Sequence, residues 1–551
     1  MRWSRARCLH PLLLRAADTP SLDRDQGEPV NPGQYCQTRR RWSLIDIRDL
    51  PRFRDLRAFL SHLEQSGHIK HVVEPVSSVL EITEIHRRVL ARGGPALLFQ
   101  NVRKANADHA EMPVLANLFG TAERIAWGLG VERTNLSALG EMLARLKDPE
   151  PVDGLRDALA NWPLVKAALS TRPAIVGRAQ VQEVVATGSG MDLYRLPVQT
   201  CWPGEPAPLI TWPLVITRPP DAEATSRYNI GVYRMQLLDR DRAIVRWLAH
   251  RGGAGHHRLW AARNVDMPIA VVIGADPATM LSAVLPLPEG ISELSFSGVL
   301  RGERPRVARC ITQPLVVPAD AEIVIEGVVS AHETAPEGPF GDHTGYFNAV
   351  ESFPVMRVTA ITCRQAPIYA STYTGRPPDE PSVIGEVLNE LFVPILRRQL
   401  PEVVDCWFPP AACSYRMAVV SIRKGYPGHA RRVMAALWGM IAQFSYTKLM
   451  IVVDADVNAR NWADVAWAVS TRMDPSRDLM VLERTPIDYL DFASPEPGLG
   501  GKLGIDATNK IGAETTREWG RVMAMDKRVI ERIDSIWSRL GLADAGDTHA
   551  G

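Results

Sequence analysis

Glu337 and Asp342 stand five residues apart in "TAPEGPFGDHTGYFN", residues 334–348, with His343 directly after the second. Two carboxylates held close together suit general acid–base chemistry, in which one group gives or takes a proton and the other sets its electrostatic surroundings. Pro336 and Pro339 fix their own backbone angles, while Gly338, Gly341 and Gly345 permit unusual ones. The run therefore predicts a rigid irregular loop, not a helix or a long strand. The same composition also makes ordinary solvated surface turns, so the rest of the chain must separate the two readings.

A second set of residues suits a hard cation. Asn229 in "YNIGVYR", His250 in "WLAHRGG" and Glu293 in "ISELSFSG" offer donors that manganese or magnesium accepts together with phosphate. Taken singly, each reads first as a structural residue. Arg227, Arg234, Arg246 and Arg251 crowd one predicted hairpin. So many guanidinium groups on apolar strands point to an anionic ligand such as phosphate or carboxylate, or else to a solvated barrel rim. In an unbroken strand Asn229 and Arg234 would face opposite sides of the sheet, because their separation is odd. If both serve one site, Gly231 should mark a bulge or a strand end.

The elements that must position these residues change character along the chain. Residues 43–125 read as a small α/β unit, with helices in "DLPRFRDLRAFLSHLEQSG" and "VLEITEIHRRVLARGG" and a short strand in "PALLFQNV". Residues 126–170 read as helical, most clearly in "LSALGEMLARLKD". From about 175 to 375, short runs rich in Val, Ile and Thr, such as "LITWPLVITR", "IAVVIGAD" and "EIVIEGVVS", predict a barrel or sandwich. "YRMQLLDRDRAIVRWLAH" reads as a hairpin turning at its charged "DRDR". After about 380, "RMAVVSIRK", "GHARRVMAALWGMIAQF", "KLMIVVDADV" and "NWADVAWAVSTR" alternate strand and helix, the pattern of a parallel α/β sheet. A last helix, "MDKRVIERIDSIWSRLG", is expected to pack on a partner or another domain. There is no P-loop, nucleophile elbow or HExxH, and the glycine-rich "GLGGKLG" at 498–504 matches no phosphate-loop spacing.

At 551 residues the chain is long enough for two to four domains. Hydrophobic residues at 46% and charged residues at 23% are ordinary globular values. A net charge of +1 provides no global field to draw in nucleic acid. Seven scattered cysteines without a CxxC pair argue against a disulfide framework or zinc-thiolate site and suit a reducing cytoplasm. No run approaches the roughly 18 apolar residues of a membrane-spanning helix. The opening "MRWSRARCLHPLLLRAADTP" is closer to a transit peptide than to a secretory signal, and an over-long start or disordered tail is the preferred reading.

In the order in which they occur, "YNIGVYRMQLL", "RWLAHRGG", "GADPATML", "EGPFGDHTGYFN", "STYTGRPPDEP", "MDPSRD", "TPIDYLDFASP" and "GIDATNK" resemble the UbiD family of decarboxylases. The resemblance runs from about residue 46 to the end of the chain. It implies a mixed α/β (α+β) multidomain fold. The expected parts are an extension at 1–45, an N-terminal α/β domain at 46–170, a flavin-reductase-like split β-barrel at 171–375, a C-terminal α/β domain at 376–515, and a terminal helix and tail at 516–551.

The resemblance further implies decarboxylation of 4-hydroxy-3-polyprenylbenzoate to 2-polyprenylphenol in ubiquinone biosynthesis, without oxidation. The implied cofactors are prenylated FMN and a divalent metal, usually Mn2+, with K+ as a further candidate. Metal ligands map onto Asn229, Glu293 and His250. Cofactor contacts map onto Val232, Tyr233, Arg234, Arg246, Trp247, Leu248, Arg251, Gly252 and Lys448. The catalytic trio falls on Arg234, Glu337 and Asp342. Asp342 is expected to be the general acid with a raised pKa, Glu337 to tune Arg234, and His343 to support them or make a structural hydrogen bond. Implied partners are an aromatic acid with a prenyl tail, a flavin prenyltransferase that supplies the cofactor, and further copies of the chain through the C-terminal domain. Peripheral contact with the inner face of the cell membrane is expected from the substrate alone. Rival readings are a related decarboxylase or reversible carboxylase of another aromatic or unsaturated acid, a non-catalytic flavin-binding assembly subunit, and a metal-dependent hydrolase without flavin.

Overall fold

The computed structural model describes residues 52–106, 108–147, 170–222, 224–248, 251–285, 292–440 and 444–540, all within one compact unit. The expected extension at 1–45 and the expected ligand His250 lie outside the described residues.

A nine-stranded sheet positions the site. Its strands are β1 (Val184–Thr187), β2 (Leu209–Ile210), β3 (Leu214–Thr217), β4 (Asn229–Val232), β5 (Met235–Leu237), β6 (Arg242–Val245), β7 (Met267–Ile273), β8 (Ile323–Glu337) and β9 (Glu351–Cys363). They lie in the order β4-β3-β7-β8-β9-β6-β5-β2, with β1 also pairing with β9. β4 and β5 are joined only through Tyr233 and Arg234, yet they sit first and seventh in that order. A flat sheet would set them about 29 Å apart, six steps at roughly 4.8 Å each, whereas three Cα steps reach only about 11 Å. The sheet must therefore curl, and Arg234 lies where the chain crosses its open side. β7 is buried along its whole length, as its unbroken apolar run requires of a strand covered on both faces.

The expected hairpin forms between β5 and β6, with Asp239 N–H donating to the Arg242 carbonyl at its turn. β8 and β9 are much longer than their neighbours. Past a register shift between Val329 and Thr334 they continue as a two-stranded ribbon, pairing Thr334–Glu337 with Glu351–Pro354. The predicted loop therefore starts later than its composition suggests, because Pro336 and Glu337 stay in the ladder. Proline fits at such a bulged margin, where no donor from it is needed.

Helix α1 (Gly252–Ala261) follows β6, and helix α2 (Glu293–Arg301) starts on a Ser292 cap whose hydroxyl accepts from Ser295 N–H. Helix α3 (Glu380–Gln399) leads away from the central sheet and is capped by Asp379. On the N-terminal side, helices Leu56–Gln65 and Glu81–Leu90 and strand Ala96–Phe99 form where the apolar spacing predicts them. Their small sheet is completed by Tyr369–Ala370, from beyond the ribbon. Leu136–Lys147 is helical, whereas 148–169 lie outside the described residues.

On the C-terminal side, Met417–Ile422, Leu449–Asp454 and Leu499–Ala507 are parallel neighbours, as the strand-helix alternation predicts. Both outer strands, Val403–Trp407 and Leu479–Pro486, run antiparallel. The last helix, Lys527–Asp534, buries none of its residues and leaves Val529, Ile530 and Ile533 exposed, so the expected packing on another domain of the same chain does not occur.

Candidate active site

The ribbon tip and the β4–β5 crossing bring the predicted trio together. Arg234 donates from Nε to Glu337 Oε1 at 2.8 Å and from Nη2 to Glu337 Oε2 at 3.2 Å. Its Nη1 donates to Asp342 Oδ2 at 3.0 Å. One guanidinium thus clamps both acids in the fork geometry that arginine offers to carboxylates. Glu337 is 0% exposed and reaches no water, so the fork replaces its lost hydration. The solvated-turn reading of the loop is excluded.

A second arginine joins them. Arg246 donates from Nη1 to Asp342 Oδ2 at 3.2 Å, its Nε lies 3.6 Å from Glu337 Oε2, and its Nη2 bonds the Tyr489 hydroxyl. Arg246 is thus engaged with the acids, where the resemblance assigned it to the cofactor.

The residue at the end of the quoted stretch holds this geometry. Asn348 Oδ1 accepts from Arg234 Nη2 and from Phe340 N–H, both at 2.8 Å. Its Nδ2 donates to Glu337 Oε2 at 3.2 Å and to the Ala349 carbonyl at 2.6 Å. Every hydrogen-bonding position of this buried amide is used, and it ties the start of the loop to its end. Gly338 sits at φ +90 with its missing Cβ 2.9 Å from Asn348 Nδ2, so a side chain there would be strained and would collide with that tie. Gln236 Oε1 accepts from Gly338 N–H at 3.0 Å. Neither Asn348 nor Gln236 carries a sequence signal beyond being an amide near the motif.

Asp342 does not have the raised pKa expected of it. Burial pushes it up, but the His343 hydrogen bond and then the charges of His343, Arg234 and Arg246 outweigh burial and hold the carboxyl well below its usual range. His343 moves the other way. Burial disfavours its cation, yet the hydrogen bond to Asp342 and the charges of Asp342 and Asp488 raise its pKa overall. The hydrogen bond between them favours the pair of carboxylate and imidazolium.

Asn229 and Glu293 also meet. Asn229 Nδ2 donates to Glu293 Oε1 at 3.3 Å, and Ile230 N–H donates to Oε2 at 2.8 Å. Tyr233 donates its hydroxyl hydrogen to Asn229 Oδ1 at 3.0 Å. Glu293 comes from the first turn of α2. Burial raises its pKa because the partners that oppose burial are neutral N–H groups. The two oxygen donors suit a hard divalent cation, which would supply the missing positive charge. Gly231 marks neither a bulge nor a strand end, since it pairs regularly with Val215. Its missing Cβ would fall 2.5 Å from the Tyr233 ring. The break that reconciles Asn229 with Arg234 comes later, at Tyr233 and Arg234.

A cavity of about 600 Å³ lies between the central sheet's loops and the C-terminal sheet, lined in part by Trp247, Leu248, Arg251, Tyr415, Tyr446 and Tyr489. Three expected cofactor residues, Trp247, Leu248 and Arg251, line it. The Trp247 indole N–H is buried without a hydrogen-bond partner. A planar ligand with an anionic tail fits such aromatic walls and an arginine. Val232 and Tyr233 belong to the Asn229 end of the site, and Gly252 passes so close to Asn229 that its missing Cβ would lie 2.9 Å from Asn229 Cγ. Lys448 is 44% exposed and pairs with Asp491 at 2.8 Å, outside the cavity lining. Arg227 closes a short helical turn before β4 and does not join the acids.

Known proteins share the domain architecture of this chain. Residues 60–143, 174–377 and 382–507 match the N-terminal, Rift-related and C-terminal domains of 3-octaprenyl-4-hydroxybenzoate carboxy-lyase, the three domain models of UbiD proteins. The chain belongs to the UbiD family. It is a decarboxylase of that family. Among solved UbiD-like structures, Sedimentibacter hydroxybenzoicus vanillic acid decarboxylase in closed form is 26% identical, with a TM-score of 0.76 over 89% of this chain and 99% of the other. The UbiD-class enzyme HmfF from Pelotomaculum thermopropionicum, in complex with FMN, is 28% identical, with a TM-score of 0.71 over 87% and 99%. An evolved dimeric form of HmfF in complex with prFMN is 28% identical, with a TM-score of 0.68 over 85% and 97%. The curled sheet is the half-barrel these structures share. Among the described residues no helix is long and apolar enough to cross a membrane.

Proposed function

We propose that this chain decarboxylates 4-hydroxy-3-polyprenylbenzoate to 2-polyprenylphenol with prenylated FMN and a divalent metal. The observation that carries the reading is the Arg234 fork on Glu337 and Asp342, set beside an aromatic-walled cavity of about 600 Å³. Prenylated FMN, when bound, supplies the electron sink that an aryl acid needs to lose carbon dioxide. Trp247, Leu248 and Arg251 would contact it. Asn229 and Glu293, with His250, would hold a divalent metal, which would supply positive charge beside the cofactor.

The chain's own residues then manage charge and proton. Glu337 keeps Arg234 oriented, and Arg234 with Arg246 holds Asp342 in a fixed position at the edge of the cavity. Asp342 delivers the proton that replaces the carboxyl group on the ring carbon. His343, Arg234 and Arg246 favour its ionised form, so it takes up a proton before it gives one.

Likeness to the vanillic acid decarboxylase favours a second reading, in which the substrate is another hydroxylated aromatic acid without a prenyl tail. The test is an absorption spectrum and native mass of protein made with and without a flavin prenyltransferase, followed by turnover of prenylated and unprenylated 4-hydroxybenzoate. A bound flavin heavier than FMN by one prenyl group, with turnover of the prenylated acid, is expected. Turnover of the unprenylated acid alone selects the second reading. Absence of bound flavin in folded, metal-loaded protein overturns both.

A further inference from the structure

His343 lies between two carboxylates from different parts of the fold. Its Nδ1 is 2.8 Å from Asp342 Oδ1, an oxygen that also accepts the His343 backbone N–H at 2.8 Å. Its Nε2 is sealed from solvent without a hydrogen-bond partner and lies 3.8 Å from Asp488 Oδ2. A neutral imidazole has one N–H and one bare lone pair, so either tautomer would turn a lone pair toward a carboxylate. Only the cation directs an N–H to both.

The surroundings support this. Asp488 is fixed by the Tyr415 hydroxyl at 3.0 Å, by Arg416 at 3.2 Å and by Leu490 N–H at 2.9 Å. Arg416 opposes a charge on His343, while Asp342 and Asp488 favour it and prevail. Asp379, at the start of α3, is also coupled electrostatically to His343. The other Asp342 oxygen, Oδ2, is occupied by Arg234 and Arg246, which leaves Oδ1 as the oxygen open to a proton from His343. The docking extends around the pair, since Tyr346 of the loop packs edge-on against Phe492, 5.9 Å between ring centres.

We propose that His343, held between Asp342 and Asp488, is the proton store of the active site and recharges Asp342 for each turnover. This rests on the reading of Asp342 as the general acid, and His343 is a positioning residue that acts through it. The steps balance. The imidazolium passes its Nδ1 proton to Asp342 Oδ1, giving neutral imidazole and a carboxylic acid. The ring–carboxylate bond breaks to release carbon dioxide, and the electron pair it leaves ends in the new C–H bond formed with the Asp342 proton. Once the product has left, a proton from solvent enters at the Asp342 carboxylate, whose side chain is 12% exposed. It passes from Oδ1 to His343 Nδ1, because Nε2 keeps its N–H and is sealed. Asp488 makes the store depend on the C-terminal sheet's loop.

Two measurements test this. The first follows deuterium exchange at the imidazole C2 position by mass spectrometry against pH, on the full chain without cofactor. His343 is expected to titrate above its ordinary value of 6.5, and Asp488→Asn is expected to lower that midpoint. The second compares His343→Gln with wild type in the cofactor-loaded enzyme. Glutamine keeps an N–H toward Asp342 but carries no titratable proton. Expected are a fall in kcat of about tenfold to a hundredfold, KM within about twofold, and loss of the alkaline limb of kcat. A His343 midpoint at or below 6.5 overturns the proposal, as does a His343→Gln enzyme with unchanged kcat and pH profile. The exchange experiment needs no turnover, so failure of wild type to decarboxylate any aromatic acid tells separately against the functional reading.

Discussion

The ribbon tip and the Asn229–Glu293 pair solve the problem of buried carboxylate in opposite ways. At the tip, Glu337 and Asp342 face Arg234 and Arg246, so the chain itself supplies the opposite charges. Asp342 is accordingly pulled well below the usual carboxylate range. At the second place, among the described residues, Glu293 meets the neutral N–H groups of Ile230 and Asn229, and burial pushes its pKa up. One site is electrically complete without a ligand, and the other is suited to bind a cation. The proposed chemistry, a proton delivered at one place and a cation held at another, would use both designs.

Four substitutions sharpen or break that contrast. The largest effect is expected from Asp342→Asn, which keeps the shape but removes the proton. Turnover should fall by about 10²–10⁴-fold with flavin still bound, and an active variant would remove Asp342 from the acid role. Next is Glu337→Gln. It leaves two buried arginines short of a counter-charge, and denaturant unfolding should show a loss of about 3–5 kcal/mol. A negligible loss would mean that the arginines find other partners.

Glu293→Gln should abolish metal retention and flavin retention together, read by metal analysis and the flavin spectrum. It should also change the response of stability to pH. Because the folded pKa of Glu293 is raised, the folded state binds more protons than the unfolded one as pH climbs past the ordinary value of 4.5. Metal-free wild type therefore loses stability over that rise, and the variant should lose less. Asp342 has the opposite sign. Its contribution is present above 3.8 and is lost as acid protonates the folded state. The smallest effect is expected from Tyr489→Phe, which removes a hydroxyl from Arg246 and should cost about 1 kcal/mol. A larger loss would show that the C-terminal loop contributes more to the acid site than a single hydrogen bond.

Part of the site was legible because its chemistry is local. Glu337, Asp342 and His343 lie within one stretch whose prolines and glycines already restrict the backbone, and the β5–β6 hairpin announces its turn with "DRDR". Other parts were not. Arg246 contacts both acids, and nothing in "RAIVRWLAH" distinguishes that partner from a cofactor phosphate. Asp488 and Tyr489 are about 150 residues beyond the loop and reach it only because the C-terminal sheet docks there. The raised pKa expected for Asp342 failed for the same reason, since its sign depends on how many cations fold around it.

By itself the sequence determined which residues could do chemistry, many of the strands and helices though not helices α1 to α3, and the family to which the chain belongs. Apolar spacing, glycine and proline act over a few residues, so these properties are written locally. The tertiary structure alone decided the electrostatics. A carboxylate's charge state depends on distances of about 3–4 Å to groups far away in sequence, and only the curl of the sheet and the docking of the C-terminal loop set those distances.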